Sequence, residues 1–303
     1  MSSEKIPIFL SSDNNYAPLI ATTIMSICKN TQSFCEFFIL DGGISDEYRQ
    51  LLFNMKKQYD NFNINFINID TQKYFQNFIA TDYISVATYY RFIISELISE
   101  ICKALYLDVD IIVNGDIKKL FNENLDEYII GAIPDNGNRN YVDKLKSSLS
   151  MSVESIYFNA GILLIDFSKW KNNHVTDQLF QIEKKYRGKL ICNDQDVLNL
   201  YFENNYKILD KKYNSNIYYD NCIIRHYYGC TKPWHFHPDV CIKELEEYQL
   251  FWNIARDTPF YDILINKCTI KSIHTLHLHR LIERQRNLNY EKSISNNSCL
   301  QCR

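Results

Sequence analysis

The sequence predicts an α/β fold built on a mostly parallel mixed sheet. Strand-like and helix-like hydrophobic periods alternate through the first seventy residues. An apolar run at 103–113 has the composition of a buried strand. Hydrophobic residues make up 46% of the 303 residues and charged residues 23%, so the chain can bury a sizeable core.

Between residues 6 and 70, three strands alternate with two helices. The strands are predicted from the apolar runs at 6–12, 35–43 and 62–70. The first helix covers 16–30, with Leu19 and Ile27 on one face, and the second covers 45–59 and begins at Ser45, an N-cap candidate. This order implies parallel pairing through right-handed crossovers, and such sheets bind ligands at the carboxyl ends of their strands.

The rest of the chain continues the α/β pattern. The predicted elements are a helix at 85–100, strands at 103–113, 128–135 and 157–166, and helices at 194–203 and 240–255. A polar segment near 137–152 separates two of the strands. Residues 1–269 are therefore predicted to form one domain, followed by an appendage at 270–303.

Charge and composition exclude several classes of protein. The net charge of −3 gives no argument for nucleic-acid binding. No apolar run is long enough for a signal peptide or a membrane span, so we expect a cytoplasmic protein. The ten Cys are mostly scattered, as is usual in a reducing compartment. Cys299 and Cys302 form a Cys-x-x-Cys pair, but no second pair or nearby His completes a zinc site.

The appendage at 270–303 is basic, with six Lys/Arg against two Glu. Its basic side chains stand beside Ile and Leu, as in an interfacial helix that binds the inner face of the plasma membrane. A solvated chain end with a mild charge run explains the same residues. Both interpretations stay open.

The stretch KALYLDVDIIV places Asp108 and Asp110 within an apolar run. If the strand continues through them, both side chains point to the same side. Two like charges about 4 Å apart repel by roughly 4 kcal/mol at an effective dielectric near 20. A shared proton, a basic side chain or a hard cation must offset that repulsion, and Mn²⁺ or Mg²⁺ fits best. A strand-end turn with two solvated Asp is the alternative.

The stretch RHYYGCTKPW offers partners for such a cation and its ligand. A neutral imidazole at His226 completes a mixed site that prefers Mn²⁺ over Mg²⁺. Gly229 allows close approach of the backbone to a ligand, and Lys232 is a point charge suited to phosphate. A satisfied core histidine and a packed Lys-Pro-Trp turn are the structural alternatives.

Other stretches place polar groups where a doubly wound sheet binds a nucleotide. SSDNNY follows the first strand without the glycines of a dinucleotide fingerprint, and its Asp13 and Asn15 suit hydrogen bonds to a base or ribose. The Asn159–Gly161 segment lies at the start of an apolar strand. The NDQD segment at 193–196 either contributes several polar side chains to a site or forms the N-cap of the helix that follows. Arg91 lies on an otherwise apolar helix face, so its positive charge needs a phosphate or a carboxylate as partner.

Together these stretches resemble glycosyltransferase family eight, the retaining nucleotide-sugar transferases that include bacterial lipopolysaccharide galactosyl- and glucosyltransferases and glycogenin. The resemblance rests on six motifs in order: SSDNNYA, TYYRF, LYLDVDIIV, YFNAGILLID, NDQDVLN and HYYGCTKPW. It implies a single Rossmann-like, nucleotide-binding catalytic domain of the GT-A type over 1–269. It also implies transfer of galactose or glucose from a UDP-sugar to a glycan or glycolipid acceptor, with Mn²⁺ as cofactor, in lipopolysaccharide or other surface polysaccharide synthesis.

The resemblance also implies roles for individual residues. The Mn²⁺ ligands of the family match Asp108, Asp110 and His226. The donor-binding positions match Asp13, Asn15, Arg91, Asp108, Val109, Asp110, Asn159, Ala160, Gly161, Gly229 and Lys232. Positions around the reacting sugar match Gln195, Asp194 and, loosely, Asp135. The segment 137–152 corresponds to a loop that folds over the donor.

Retention of configuration leaves two mechanisms open. Either a carboxylate forms a covalent intermediate, or the acceptor attacks the front face while the leaving phosphate acts as base. Gln195 matches the β-face position, and an amide is a poor nucleophile. We therefore favour front-face attack, with Asp194 as the less favoured nucleophile.

Three other functions compete with this prediction. Phosphatases with an aspartyl-phosphate intermediate also use Asp-x-Asp after an apolar strand, but near the N-terminus, and with Thr or Val where this chain has Ile112. A non-catalytic UDP-sugar-binding protein has no need of Asp108 and Asp110, yet both are present. A protein- or self-glucosylating enzyme of the glycogenin type is the nearer alternative.

Overall fold

The computed structural model describes residues 5–79, 85–135, 137, 139–217, 221–229, 232–239, 241 and 246–268. In this part of the chain, no helix combines the length and the apolar content that a membrane span requires. The basic tail at 270–303, with its Cys299–Cys302 pair, lies outside the described residues. Its membrane contact and its separation from a domain over 1–269 therefore stay predictions.

The described residues form nine strands in two sheets. The strands are β1 (Ile6–Ser12), β2 (Cys35–Asp41), β3 (Phe62–Asn68), β4 (Lys103–Leu107), β5 (Ile111–Val113), β6 (Ile130–Pro134), β7 (Phe158–Asp166), β8 (Lys207–Ile208) and β9 (Ile224–His226). Seven of them form the main sheet in the order β3-β2-β1-β4-β7-β6-β8. Strands β5 and β9 form a separate two-stranded sheet.

The main sheet is parallel except at β7. Strand β1 runs parallel to β2 and β4, β2 to β3, and β6 to β8, whereas β7 is antiparallel to both β4 and β6. The amino end of β7 therefore lies beside the carboxyl end of β4, where Leu107 pairs with Ile162. The mostly parallel mixed sheet predicted from the sequence is confirmed.

The small sheet joins two distant segments of the chain. Strand β5 pairs antiparallel with β9, so that Ile111 lies opposite His226 and Val113 opposite Ile224. Because β5 begins directly after Asp110, this pairing brings His226 next to the two aspartates. The register of β9 thus decides whether the predicted ligands meet.

The described part of the chain also contains eleven α-helices. They are α1 (Ala17–Asn30), α2 (Asp46–Asn54), α3 (Thr71–Phe75), α4 (Ile94–Leu97), α5 (Lys118–Phe121), α6 (Arg139–Ser148), α7 (Phe167–Asn172), α8 (Val175–Tyr186), α9 (Asp194–Tyr201), α10 (Glu246–Ala255) and α11 (Tyr261–Lys267). Four 3-10 helices cover Met55–Lys57, Val86–Ile93, Lys211–Tyr213 and Pro233–His235.

Three segments differ from the sequence prediction, and the first is 103–113, which forms two strands, β4 and β5, in different sheets and not one strand. The helix expected over 85–100 is a 3-10 helix from Val86 to Ile93 that continues as the short α4. Nearly every side chain from Tyr89 to Ile93 is buried, so this segment lacks the exposed face of an amphipathic α-helix. The segment 137–152, expected to be a loop, contains α6, which buries Leu145 in a small apolar cluster.

The sheet separates two apolar cores, and alternate residues of β4 belong to opposite ones. Leu105 and Leu107 join the core that includes side chains of α1, α2, α10 and α11. Ala104 and Tyr106 join the core that includes side chains of α4, α7, α8 and α9. A strand covered on both faces reads as a continuous apolar run, which is why 103–107 looks like a buried strand.

Helix α1 fixes the backbone that links β4 to β5. The hydroxyl of Thr23 donates to the carbonyl oxygens of Val109 (2.9 Å) and Ile111 (3.3 Å). The hydroxyl of Ser26 accepts from the amide of Val113 at 3.0 Å. Both hydroxyls are buried, so each replaces water as partner of the β4–β5 connection.

We expect Leu105→Ala to lower the free energy of unfolding by about 2–5 kcal/mol, because it leaves a cavity between β4 and α1. Ile208→Ala, in a strand but 53% exposed, is the matched control and should cost less than about 1 kcal/mol. Urea unfolding followed by circular dichroism measures both. Equal losses from the two variants contradict the assignment of Leu105 to the core.

Candidate functional site

Predicted site residues gather at the carboxyl edge of the main sheet. Asp13 follows β1, Asp108 follows β4 and Asp135 follows β6. Because β7 is reversed, the Asn159–Gly161 segment lies at the same edge, and α9 begins there with Asp194. The ligand position expected of a doubly wound sheet is therefore the position of these side chains.

Asp108, Asp110 and His226 form the centre of this group. Nε2 of His226 lies 2.9 Å from Oδ1 of Asp110 and 3.8 Å from Oδ2 of Asp108. One ligand atom from each residue lies within 4.8 Å of the others. The His226 side chain is 2% exposed, whereas those of Asp108 and Asp110 are 29% and 17% exposed. The cluster is therefore buried on the His226 side and open to a ligand on the side of the two aspartates.

A turn, and not the two-residue period of a strand, brings the carboxylates together. Strand β4 ends at Leu107. Asp108 extends the pairing with β7 by one further backbone hydrogen bond, because its amide donates to the carbonyl of Gly161 at 2.7 Å. The carbonyl of Asp110 accepts from the amide of Tyr227 at 2.9 Å as β5 begins. The expected convergence of Asp108 and Asp110 thus occurs by the alternative route of a strand that ends there.

Gly161 leaves the space in which these ligand atoms meet. A Cβ atom built on it lies 2.3 Å from Cε1 of His226 and 2.7 Å from Oδ2 of Asp108. Real Cβ atoms do not make such contacts, so any other residue displaces the imidazole or the carboxylate. This requirement for close approach explains the glycine at the third position of the Asn-Ala-Gly motif.

The three side chains fit a small divalent cation. Octahedral ligands at about 2.1 Å from such an ion lie about 3 Å apart along an edge, which agrees with the 2.9 Å between Nε2 of His226 and Oδ1 of Asp110. Two carboxylates and an imidazole are the donor types that first-row divalent metals accept. The cluster is therefore a candidate divalent metal site.

Arg91 is buried behind the cluster and binds carboxylates, one of the two partners predicted for it. Its guanidinium lies 2.8 Å from Oδ1 of Asp108 and 3.0 Å from Oδ2 of Asp194. It also donates to the carbonyl of Ala160 at 2.5 Å and stacks 4.1 Å over the ring of Tyr106. Burial lowers the pKa of Arg91, but the neighbouring acidic groups, Asp194 first, raise it further.

Asp194 is the most deeply buried carboxylate of this group. Burial raises its pKa to about 6, against the opposing effects of the Arg91 charge and a hydrogen bond from the hydroxyl of Thr88. Its carboxylate therefore faces Arg91 and Thr88, two partners within the protein.

Lys232 neutralises Asp110. Its ammonium lies 2.6 Å from Oδ2 of Asp110 and donates to the carbonyl of Tyr227 at 2.5 Å. Burial raises the pKa of Asp110, but the charge of Lys232, with a hydrogen bond from its ammonium, helps to outweigh burial and hold this pKa well below its usual range. Lys232 thus reaches the cluster from the loop in which the sequence analysis placed it.

Gln195 is held in one orientation at the start of α9. Its Oε1 accepts from the backbone amide of Ala160 at 3.0 Å, so its Nε2 faces the other way. That nitrogen lies 3.4 Å from Oδ2 of Asp135 and 3.4 Å from the hydroxyl of Tyr157, which donates to Asp196 at 2.6 Å. Gln195 and Asp135, predicted to lie near the reacting sugar, are therefore in contact.

The remaining predicted residues lie at the rim. Oδ1 of Asp13 accepts from the backbone amides of Asn15 (2.9 Å) and Tyr16 (3.2 Å), which fixes the turn after β1. Burial, then the charges of Asp110 and Asp13, raise the pKa of Tyr16. Gly229 has φ +95°, a conformation that glycine adopts without strain.

Sequence reasoning missed several residues that support the site. Thr88, Tyr157 and Asn214 hydrogen-bond to predicted site residues, and Asp196 accepts a hydrogen bond from Tyr157. Thr88, Tyr157 and Asp196 lie within the quoted motifs TYYRF, YFNAGILLID and NDQDVLN, so assigning a role to every polar residue of those motifs finds them. Asn214 lies in KKYNSN, far from every motif, and no local pattern points to it.

We expect Gly161→Ala to weaken Mn²⁺ binding by at least about tenfold, because the new methyl group displaces His226. Gly188→Ala is the control: it strains a backbone at φ +79° but has nothing within 4 Å of the added atom. Electron paramagnetic resonance of free Mn²⁺ measures both affinities. Unchanged binding by Gly161→Ala contradicts the fit described above.

We expect the stability contribution of Asp194 to be lost as the pH rises. Its pKa is about 6 in the folded protein and about 3.9 in an unfolded chain, so the folded state holds the proton more tightly between these values. Asp194→Asn removes this titration. As the pH rises from about 4 to 6.5, the free energy of unfolding of this variant should therefore increase by about 3 kcal/mol relative to that of the wild type.

Urea unfolding across that pH range measures the effect of Asp194→Asn. Asp177→Asn, an exposed substitution in α8, should follow the wild-type curve. A difference between wild type and Asp194→Asn that does not change with pH refutes the raised pKa.

Comparisons with known proteins agree with the geometry. The profile of the family described as Glycosyl transferase family 8 matches residues 7–237. A putative glycosyltransferase of Haemophilus influenzae is 34% identical over 247 residues, which cover 77% of this chain and 74% of that protein. Glycosyltransferase GlyF of Streptococcus pneumoniae is 32% identical over 274 residues; the match covers 86% of this chain and 63% of GlyF.

A lipopolysaccharide 1,3-galactosyltransferase of Salmonella typhimurium is 28% identical over 251 residues, covering 77% of this chain and 74% of that protein. Among solved structures, the galactosyltransferase LgtC in complex with donor and acceptor sugar analogs has a TM-score of 0.70 at 24% identity. The likeness covers 84% of this chain and 96% of LgtC, and it confirms the GT-A fold. The chain therefore belongs to glycosyl transferase family 8, the family that its six motifs predicted.

Proposed function

We propose that this retaining glycosyltransferase transfers a hexose, galactose or glucose, from a UDP-sugar to a glycan or glycolipid acceptor in the synthesis of lipopolysaccharide or another surface polysaccharide. The relative named as a lipopolysaccharide galactosyltransferase supports the sugar and the acceptor class. The observation that carries the proposal is the cluster of Asp108, Asp110 and His226 at the carboxyl edge of the sheet.

Mn²⁺ is the proposed metal, held by those three residues. Imidazole together with carboxylates favours Mn²⁺ over Mg²⁺, which prefers oxygen ligands alone. When bound, Mn²⁺ supplies positive charge at the donor diphosphate. Gly161 keeps the space between the ligands clear, and Arg91 holds the carboxylate of Asp108 towards the cluster.

The residues around the cluster suit a nucleoside diphosphate. Asp13 and Asn15, at the turn after β1, are proposed to contact the uracil and the ribose. Gly229 and Lys232 are proposed to contact the diphosphate. The Lys232 ammonium already lies 2.6 Å from Asp110, so a diphosphate bound at the cluster comes within its reach. Lys232 then stabilises the negative charge that develops on the leaving phosphate.

The contacts at α9 favour front-face attack over a covalent intermediate. The Asp194 carboxylate is buried and paired with Arg91 and Thr88, so it is a poor nucleophile. Gln195 directs its oxygen to the amide of Ala160 and its nitrogen to Asp135, so its amide has a positioning role. Asp135 is proposed to contact the sugar. The leaving phosphate then accepts the proton of the attacking hydroxyl.

Metal-dependent hydrolysis of donor sugars tests this proposal. We expect the protein to release UDP from UDP-galactose or UDP-glucose in the presence of Mn²⁺, and to release much less from their N-acetyl forms or after chelation. Asp110→Asn should lower this rate by at least about 100-fold, because it removes one negative ligand of the cluster.

Two controls make the hydrolysis assay decisive. Asp116→Asn, an exposed aspartate just after β5, should keep the wild-type rate. Circular dichroism should show that Asp110→Asn remains folded. Near-normal, Mn²⁺-dependent turnover in Asp110→Asn contradicts the assignment of Asp110 as a metal ligand. The absence of UDP release from every hexose donor contradicts the proposed donor class.

A further inference from the structure

A buried chain of hydrogen bonds lies behind His226. The backbone amide of Gly161 donates to Oδ1 of Asn159 at 3.0 Å, and Nδ2 of Asn214 donates to the same oxygen at 2.8 Å. Oδ1 of Asn214 lies 3.0 Å from Nδ1 of His226. Asn159, Asn214 and His226 are 6%, 3% and 2% exposed, so water does not compete for these bonds.

The backbone amide sets the polarity of this whole chain. An N–H group can only donate, so the atom of Asn159 that faces Gly161 is its oxygen. The atom of Asn214 that faces this oxygen must then be its nitrogen, which turns the Asn214 oxygen towards His226. An amide oxygen only accepts, so Nδ1 of His226 carries a proton.

From this polarity we infer that Asn214 is a positioning residue that holds His226 in the Nδ1–H form and aims the lone pair of Nε2 at the metal cluster. This inference rests on the proposed metal at Asp108, Asp110 and His226. A metal-binding imidazole needs a bare nitrogen, and its other nitrogen is usually fixed by such a hydrogen bond.

The geometry around Nε2 agrees with this assignment. With the proton on Nδ1, Nε2 presents a lone pair 2.9 Å from the Asp110 oxygen. Two electron-rich atoms at that distance repel unless a proton or a metal cation lies between them. When the ring is neutral, a metal cation shared by His226 and Asp110 meets this need.

Backbone hydrogen bonds place Asn214 beside the ring. The amide of Ser215 donates to the carbonyl of Ile224 at 3.1 Å, and the amide of His226 donates to the carbonyl of Ser215 at 2.8 Å. These bonds align residues 214–215 with β9. The orientation of His226 therefore depends on three segments: the start of β7, residues 214–215 and β9.

Replacing Asn214 tests the inference, with Mn²⁺ alone as the probe. Asn214→Leu has a similar volume but no acceptor, and it should weaken Mn²⁺ binding by about 10–100-fold. Asn214→Asp keeps an oxygen for the Nδ1–H but sets its second oxygen against Oδ1 of Asn159, so its Mn²⁺ affinity should fall between those of wild type and Asn214→Leu. Electron paramagnetic resonance of free Mn²⁺ gives all affinities.

Asn61→Leu is the matched control. Asn61 donates to the carbonyls of Cys28 and Thr31 at the opposite end of the sheet. Its loss should lower thermal stability as Asn214→Leu does, with no change in Mn²⁺ affinity. A merely structural Asn214 predicts the same result for both Leu variants.

The proton position is read directly from ¹⁵N-histidine NMR of the metal-free wild-type protein, at a pH where the ring is neutral. His226→Gln assigns its resonances. We expect Nδ1 protonated and Nε2 bare, and this measurement does not depend on any Asn214 variant folding.

The outcomes are distinct. A proton on Nε2 with Nδ1 bare overturns the inference, as does Asn214→Leu with wild-type Mn²⁺ affinity. If the wild-type protein binds no Mn²⁺, the proposed metal fails, and the NMR result alone decides whether Asn214 sets the tautomer.

Discussion

Repulsion among carboxylates is the constraint on which the rest of this structure depends. The fold gathers Asp108, Asp110 and Asp194 at one sheet edge and removes them from most of the water. Arg91 joins two of them, and Lys232 reaches the third. Because charges buried without partners are expensive, removing either cation is expected to leave a costly uncompensated carboxylate.

The single reversed strand turns this charge cluster into a site. If β7 were parallel to β4, it would start at the opposite edge of the sheet, far from the last residue of β4. The antiparallel β7 instead delivers Asn159, Ala160 and Gly161 to the metal cluster, where each contributes a different property: an acceptor, a carbonyl and empty space. Topology thus places three consecutive residues in three separate interactions.

The sequence predicts what depends on residue type and local order. Two aspartates after an apolar run, the glycine of Asn-Ala-Gly and the histidine of the late loop are visible because their chemistry is unusual at those positions. Asn214 is invisible because its partner lies 12 residues away, outside any shared motif, and asparagine is ordinary in any polar segment. Helix α6 is missed because polar residues outnumber the few apolar ones, Leu145 among them, that bury it.

The pairing of β5 with β9 has a thermodynamic consequence. Asp110 and His226 are 116 residues apart in the chain, so an ion bound to both closes a long loop. Such an ion acts as a reversible cross-link whose strength is set by its concentration, since ligands that bind only the folded state stabilise it by mass action. The concentration of such an ion therefore also sets how stably β9 stays paired with β5.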